Sequence, residues 1–250
     1  MERFMSRIGE ADRRVLWHPF TQMSDWEGEP PLVITHGKGC TLYDEDGNGY
    51  LDGSSSIWVN LHGHRKGAID RALKRQIDRI AHSTFLGLTN PPAVELAERL
   101  IDIAPPGLSR VFYSDNGSTA VEVALKMAFQ YWRQRRTDPR PQKTRFMHLK
   151  HAYHGDTVGA VSVGGIELFH ATFRDMMMAT DQVEFPYCYR CPYGESYPSC
   201  ELSCLAPVEQ ALKDKADTLA AFVVEPLVQG ASGLLTMPPG YLAGIRELCS

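Results

Sequence analysis

RVFYSDNGSTAVEVALKMAFQYWRQRR, residues 110–136, decides the fold. It reads as strand, tight turn and long helix. Arg110 to Ser114 has the aromatic and β-branched character of a short buried strand. Asp115-Asn116-Gly117 is turn chemistry, with Gly117 able to take a positive φ. Val121, Ala124, Leu125, Ala128 and Trp132 then share one face at helical spacing. Thr119 and Glu122 stand at capping-box spacing, and Arg133, Arg135 and Arg136 gather where the helix dipole favours cations. A helix start leaves backbone N–H groups unpaired, and Ser118 adds a hydroxyl, so this turn is a candidate phosphate cup. An ordinary capped helix on an α/β sheet carries the same signature.

The rest of the chain supports an α/β reading. With 250 residues and 43% apolar content, the composition is that of a soluble protein with one large domain, or one domain and an appendage. A formal net charge of −4 gives no basic footprint for nucleic acid. No apolar run has transmembrane length, and the charged start MERFMSRIGEADRR lacks a signal-peptide core, so a cytoplasmic setting is expected.

Residues 1–16 read as a polar helical lead-in, and Trp17 to Met23 (WHPFTQM) as aromatics that cap a core or line a site. Residues 32–53 read as a small surface β-meander, with turns at Asp46-Gly47 and Asn48-Gly49. His62 and His64 alternate in SSSIWVNLHGH, but two histidines are weak evidence for a metal. Amphipathic helices follow at 66–82 and from Pro91 to Ile103, the second capped by Asn90. After the 110–136 unit, 144–149 is a second strand. Tyr153-His154-Gly155-Asp156-Thr157 lies just past its carboxyl end, where α/β sheets build their sites. Tyr153 there is suited to stack on a flat ligand, and His154 and Asp156 to orient it. A strand-to-helix loop capped by Asp156 is the plainer reading.

Residues 166–178 carry Phe169, Phe173 and Met177 at helical spacing, suited to a core or interface. In the loop that follows, Cys188 and Cys191 form CxxC, and Cys200 and Cys204 form CxxxC. Zinc, an iron–sulfur cluster, reduced thiols and disulfides are all open for these four residues. A helix over 206–217 leads to AFVVE, 221–225, a buried parallel-type strand that ends at Glu225-Pro226. Gln229 to Gly233 reads as a flexible loop, and a last helix begins near 239.

Three stretches, SDNGSTAVEVALKMA, HAYHGDTVGA and VVEPLVQGASG, occur in an order and at distances that resemble the class III aminotransferases, pyridoxal-phosphate enzymes of fold type I. LWHPFTQM, DGSSSIWVNLHGHR and MAFQYW resemble the branch of that family that aminates 8-amino-7-oxononanoate to 7,8-diaminononanoate in biotin synthesis. The resemblance spans essentially the whole chain. It implies a three-layer α/β/α fold of the aspartate-aminotransferase kind with a mostly parallel sheet. Residues 1–60 would belong to the small domain and 61–250 to the first part of the large cofactor domain. It also implies a cytoplasmic homodimer acting on small molecules.

Carried over residue by residue, the resemblance makes Gly117 and Ser118 the phosphate cup and Tyr153 the aromatic against the pyridine ring. His154 and Gly155 are its neighbours, and Glu225 lies beside the cofactor. Phe20, Ile57, Trp58 and Tyr153 would line the substrate pocket. Phe20 stands where members using S-adenosylmethionine as amino donor have Tyr, and Ile57 where they have Trp, so S-adenosylmethionine and lysine are both open as donors. An ω-amino acid:pyruvate aminotransferase of the same class and a non-catalytic binding protein are the alternatives. The family's Asp for the pyridine nitrogen and its Schiff-base Lys are expected beyond residue 250, which leaves no catalytic residue in this chain and an incomplete fold. Lys150 ends a strand, but the family does not use that position, and it reads as a surface lysine.

Overall fold

The computed structural model describes residues 5–26, 28 and 30–250. Residues 1–4 of the expected lead-in lie outside the described residues. The chain divides into two compact units, Met1–Pro105 and Pro106–Ser250.

The first unit opens with α1, Arg7–Val15, whose N-cap Ser6 accepts the Gly9 amide at 3.2 Å. Asp12 on this helix accepts from His18 Nε2 at 2.9 Å and from Trp26 Nε1 at 3.1 Å, Trp26 closing the single turn α2, Met23–Trp26. The WHPF segment is therefore anchored through His18. Trp17 and Phe20 are themselves exposed, which corrects the core reading of that segment. The meander forms as expected, with β1 (Ile34–Lys38), β2 (Thr41–Asp44) and β3 (Gly49–Leu51) antiparallel in that order. Buried Asp44 organises its turn, accepting from Asp46 N, Asn48 N, Asn48 Nδ2 and the Tyr50 hydroxyl. The Asn48 side-chain hydrogen bond is the largest of the influences that pull this carboxyl down to about 2.

A single turn of left-handed helix, α3, Ser55–Trp58, comes next: four successive non-glycine residues have φ between 50° and 66°. Left-handed helical backbone costs an L-residue roughly 1–2 kcal/mol. Asp52 offsets this by accepting both Ser56 N and Ser56 Oγ at 2.8 Å, and it is itself held by His64 Nε2 at 2.8 Å. This contact gives His64 a structural partner. Two amphipathic helices complete the unit. α4, Gly67–Ile77, is shorter than the expected 66–82, and α5, Pro91–Ile103, starts at Asn90, whose side chain accepts the Ala93 amide.

The second unit is a three-layer α/β/α sandwich. α6, Gly117–Gln134, leads to β4, Arg145–Leu149, which pairs in parallel with β5 (Asp181–Val183) on one side and β6 (Leu219–Val223) on the other. Leu125 of α6 packs with Phe146 and Val163 on one face of the sheet. On the other face Met147 and Leu149 pack with Val208 of α9 (Leu205–Lys215) and with Tyr241 and Ile245 of α10 (Tyr241–Leu248). A bulge in β6 breaks the alternation. Arg145 faces Leu219 but Phe146 faces Ala221, so Ala220 and Ala221 both pack toward α6. The carbonyl of Ala220 accepts the Trp132 indole N–H at 2.7 Å, which ties the far end of α6 to the sheet.

Four expectations fail here. Residues 110–114 form no strand: no β-ladder among the described residues includes them, and Phe112 is exposed. A strand exists only with a ladder partner, which side-chain character alone does not supply. The helix expected over 166–178 is a short α8, Glu167–His170, followed by a 3₁₀ stretch, Ala171–Met176, with Phe173 exposed. The loop from Gln229 carries a small hairpin instead, β7 (Val228–Gln229) against β8 (Leu235–Thr236). Its anchor is Gln229, fully buried, donating from Nε2 to the Lys150 carbonyl at 3.0 Å. Lastly, β6 begins and ends two residues before the expected 221–225, which leaves Glu225 in the loop past the strand.

Candidate active site

The carboxyl ends of β4 and β6 and the start of α6 converge. Asn116 caps α6: its side chain accepts the Thr119 amide at 3.0 Å, and the Thr119 hydroxyl accepts the Asn116 amide at 3.1 Å. The capping box is therefore Asn116 with Thr119, not Thr119 with Glu122. Gly117 is the first helical residue with an ordinary negative φ, so its expected positive φ is not used. Its glycine character has another consequence. A Cβ placed on Gly117 would meet nothing within 4 Å, so the bare backbone borders open space. The amides of this first turn have no intrahelical acceptor and carry the positive end of the helix dipole.

Facing that turn is the loop from β4. The Tyr153 amide donates to Glu225 Oε1 at 2.9 Å, and the Asp156 amide donates to Ser118 Oγ at 3.2 Å. Because the Ser118 oxygen accepts there, its O–H is left to donate to an incoming group. The Tyr153 hydroxyl donates to Asp156 Oδ2 at 2.6 Å, which fixes the ring. Burial first, and this hydrogen bond second, push the Tyr153 hydroxyl up to about 12. Gly155 has φ 124°, and a Cβ there would lie 2.1 Å from Ser118 Oγ, so the loop can approach α6 this closely only through a glycine. Burial drives His154 down to about 4, with nearby His148 adding to the shift, so the ring is neutral near pH 7. Asn116, Gly117, Ser118, Val121 and Tyr153 to Thr157 line a cavity of about 570 Å³.

The structure thus brings together Gly117, Ser118, Tyr153, His154 and Gly155 around one cavity, with Glu225 behind the Tyr153 amide. Phe20, Ile57 and Trp58 lie in the first unit, all three exposed. Lys150 is a surface residue whose ammonium pairs with Glu184 at 3.1 Å. The four cysteines of the 188–204 loop are free thiols. Among the described residues no group of three or more His, Cys, Asp or Glu side chains is arranged to hold a metal ion, so no geometry supports the zinc and iron–sulfur readings for Cys188, Cys191, Cys200 and Cys204. Burial raises Cys204 to about 11, which keeps that thiol protonated and unreactive. Sequence reasoning missed Glu122 as part of the site's support. Its spacing of four from Ser118 places both on one helix face, and that was the available signal.

The profile of the aminotransferase class-III family matches residues 22–250. The chain belongs to this family. A protein from Geobacter sulfurreducens described as adenosylmethionine-8-amino-7-oxononanoate aminotransferase is 56% identical over 243 residues, covering 97% of this chain and 53% of that protein. The crystal structure of the Methanocaldococcus jannaschii protein of the same description superposes with a TM-score of 0.88 at 39% identity, over 97% of this chain and 52% of the other. An omega transaminase from Pseudomonas jessenii, solved in complex with PMP, gives a TM-score of 0.88 at 29% identity, over 98% and 54%. The chain spans about half the length of the curated relatives it matches. The three-layer sheet of the second unit is the fold type I architecture of the class-III aminotransferases.

Pyridoxal phosphate is the cofactor of this class, and the cavity fits it. Its phosphate would find the Gly117 and Ser118 amides and the Ser118 hydroxyl at a positive helix end, beside a glycine whose missing Cβ leaves room. Tyr153, held by Asp156, lines the same cavity and would offer an aromatic face to the ring. No helix among the described residues is long and apolar enough to cross a membrane.

Proposed function

We propose that this chain supplies the phosphate cup and the ring-stacking loop of a pyridoxal-phosphate aminotransferase that converts 8-amino-7-oxononanoate to 7,8-diaminononanoate. The observation that carries the reading is the meeting of the Asn116-capped start of α6 with the Tyr153–Thr157 loop around one cavity. Identities of 39–56% to proteins of that description across this chain support the substrate.

When bound, the cofactor supplies an electron-withdrawing ring that takes up charge as a proton leaves the amino donor's carbon. The residues of this chain hold and orient it. Gly117 and Ser118 take the phosphate. Tyr153 packs on the ring, its position set at the backbone by Glu225 and at the hydroxyl by Asp156. His154, neutral near pH 7, lines the cavity without adding charge to it. Rigid placement of this kind converts binding energy into orientation.

Phe20, Ile57 and Trp58 are assigned to the substrate pocket, with lysine or S-adenosylmethionine as the amino donor. We assign residues 1–60 to the small domain and 61–250 to the first part of the large domain of a cytoplasmic homodimer. The test is amino transfer by the intact polypeptide given pyridoxal phosphate, 8-amino-7-oxononanoate and each donor in turn, read by mass spectrometry. Diaminononanoate with one donor is the expected result. Turnover of β-alanine with pyruvate, and no diaminononanoate with either donor, would replace this reading with an ω-amino acid:pyruvate aminotransferase.

A further inference from the structure

Helix α7, Val158–Ser162, begins directly after the Tyr153 loop and lacks a cap of its own. Its N-cap residue Thr157 makes no side-chain capping bond, and Thr157 Oγ1 is buried without a partner. The cap comes from another element. Glu122 Oε1, on α6, accepts the Gly159 amide at 2.7 Å and the Ala160 amide at 3.3 Å, the second and third positions of α7. These are the positions an N-cap side chain ordinarily serves. Gly159 has no side chain to obstruct the contact: a Cβ there would lie 2.3 Å from Glu122 Oε2.

Glu122 stands one helical turn from Ser118 on the same face of α6. Ser118 holds the loop at Asp156 and Glu122 holds the helix that follows at Gly159 and Ala160. One rigid helix therefore grips both sides of Thr157, and the same helix presents its first-turn amides to the cavity. We propose that Glu122 is a positioning residue for the cofactor phosphate: through α7 it fixes the Tyr153–Thr157 loop against the first turn of α6. The proposal rests on the cofactor reading above, but the grip itself is a property of the chain alone.

The test uses the chain with Glu122→Ala and Glu122→Gln. Three readouts are compared: hydrogen exchange over residues 151–162, the dissociation constant for pyridoxamine 5′-phosphate by equilibrium dialysis, and the thermal melt. This ligand has no aldehyde, so reaction with lysine does not contribute. Losing a charged acceptor for two amides is expected to weaken phosphate-ligand binding about tenfold in the Ala variant, with faster exchange across 153–160. Gln keeps one oxygen acceptor and is expected to fall between the Ala variant and the native chain. If the Ala variant fails to fold, the Gln variant carries the test. Exchange over 153–160 unchanged from the native chain overturns the proposal. So does a loosened loop with affinity unchanged within about twofold, since twofold is below half a kcal/mol. If the native chain does not bind the ligand at all, the cofactor reading fails, and the exchange data still decide whether Glu122 holds the loop.

Discussion

Glu225 accepts the backbone N–H of Tyr153 at 2.9 Å across 72 residues of sequence, and its second oxygen accepts the Gly230 amide at 2.9 Å. One carboxylate past β6 thus pins both the Tyr153–Thr157 loop and the turn that opens the β7–β8 hairpin. Glu225→Gln is expected to be harmful although nearly isosteric, because one arm becomes a donor facing a donor. A loss of about 1–3 kcal/mol in a urea melt, together with weaker pyridoxamine 5′-phosphate binding, is the expected outcome. An unchanged melt would show that the two amides find other acceptors.

Gly155→Ala addresses the closest approach in the site. The φ of 124° and the 2.1 Å conflict with Ser118 Oγ act together, and the contact is with a short side chain rather than a long flexible one. Destabilisation of at least about 2 kcal/mol is expected, with loss of phosphate-ligand binding. Chemical denaturation and dialysis check it. By contrast, Gly117→Ala has room in the free chain and is expected to leave stability nearly unchanged while weakening phosphate binding.

The pH dependence has a definite sign. His154 is lowered from 6.5 to about 4, chiefly by burial and then by His148. Between these values the unfolded chain binds a proton that the folded chain refuses, so stability rises with pH there. The contribution is complete above about 6.5 and is lost as pH falls toward about 4. His148 and His170, also lowered by burial, act in the same direction. Melting temperatures should fall over this acid window, and His154→Gln should flatten part of the fall. A profile with the same slope in the variant would assign the whole effect to the other two histidines.

Tyr153 titrates at the opposite end of the scale. Its hydroxyl, raised from 10 to about 12, favours the folded state below pH 10, and that advantage is lost as pH climbs toward 12. Asp156→Asn removes the charged acceptor but not the burial, so the tyrosinate absorbance near 295 nm should appear at lower pH than in the native chain, though still above pH 10. A transition unmoved by the substitution would mean that burial alone sets the shift.

The parts of the site legible in the sequence were those encoded locally. Asn116 and Asn90 cap helices that start where turn chemistry placed them, and the meander of residues 34–51 follows its Asp-Gly and Asn-Gly turns. Gly155 could be marked as a loop glycine, but its reason for being one is Ser118, 37 positions earlier, and no local pattern contains that contact. Glu122 was legible as a capping residue but assigned to the wrong helix, since spacing along a chain does not reveal an orphan amide on another element. Residues 110–114 have strand character without a strand, because pairing is a property of two segments. The β6 bulge at Ala220 likewise depends on β4 beside it.

The turn at Ser55–Trp58 is the case furthest from sequence reasoning, for none of its residues is glycine, asparagine or aspartate. What is constrained there is chirality. Four L-residues are held in the mirror image of their preferred helix, and Asp52, steadied by His64, supplies hydrogen bonds that keep them there. D-serine at positions 55 and 56, introduced by chemical synthesis, would relax the backbone that natural serine strains. The ribosome has no such residue to offer, so in the natural chain the hand of this turn depends on a carboxylate three residues upstream of it.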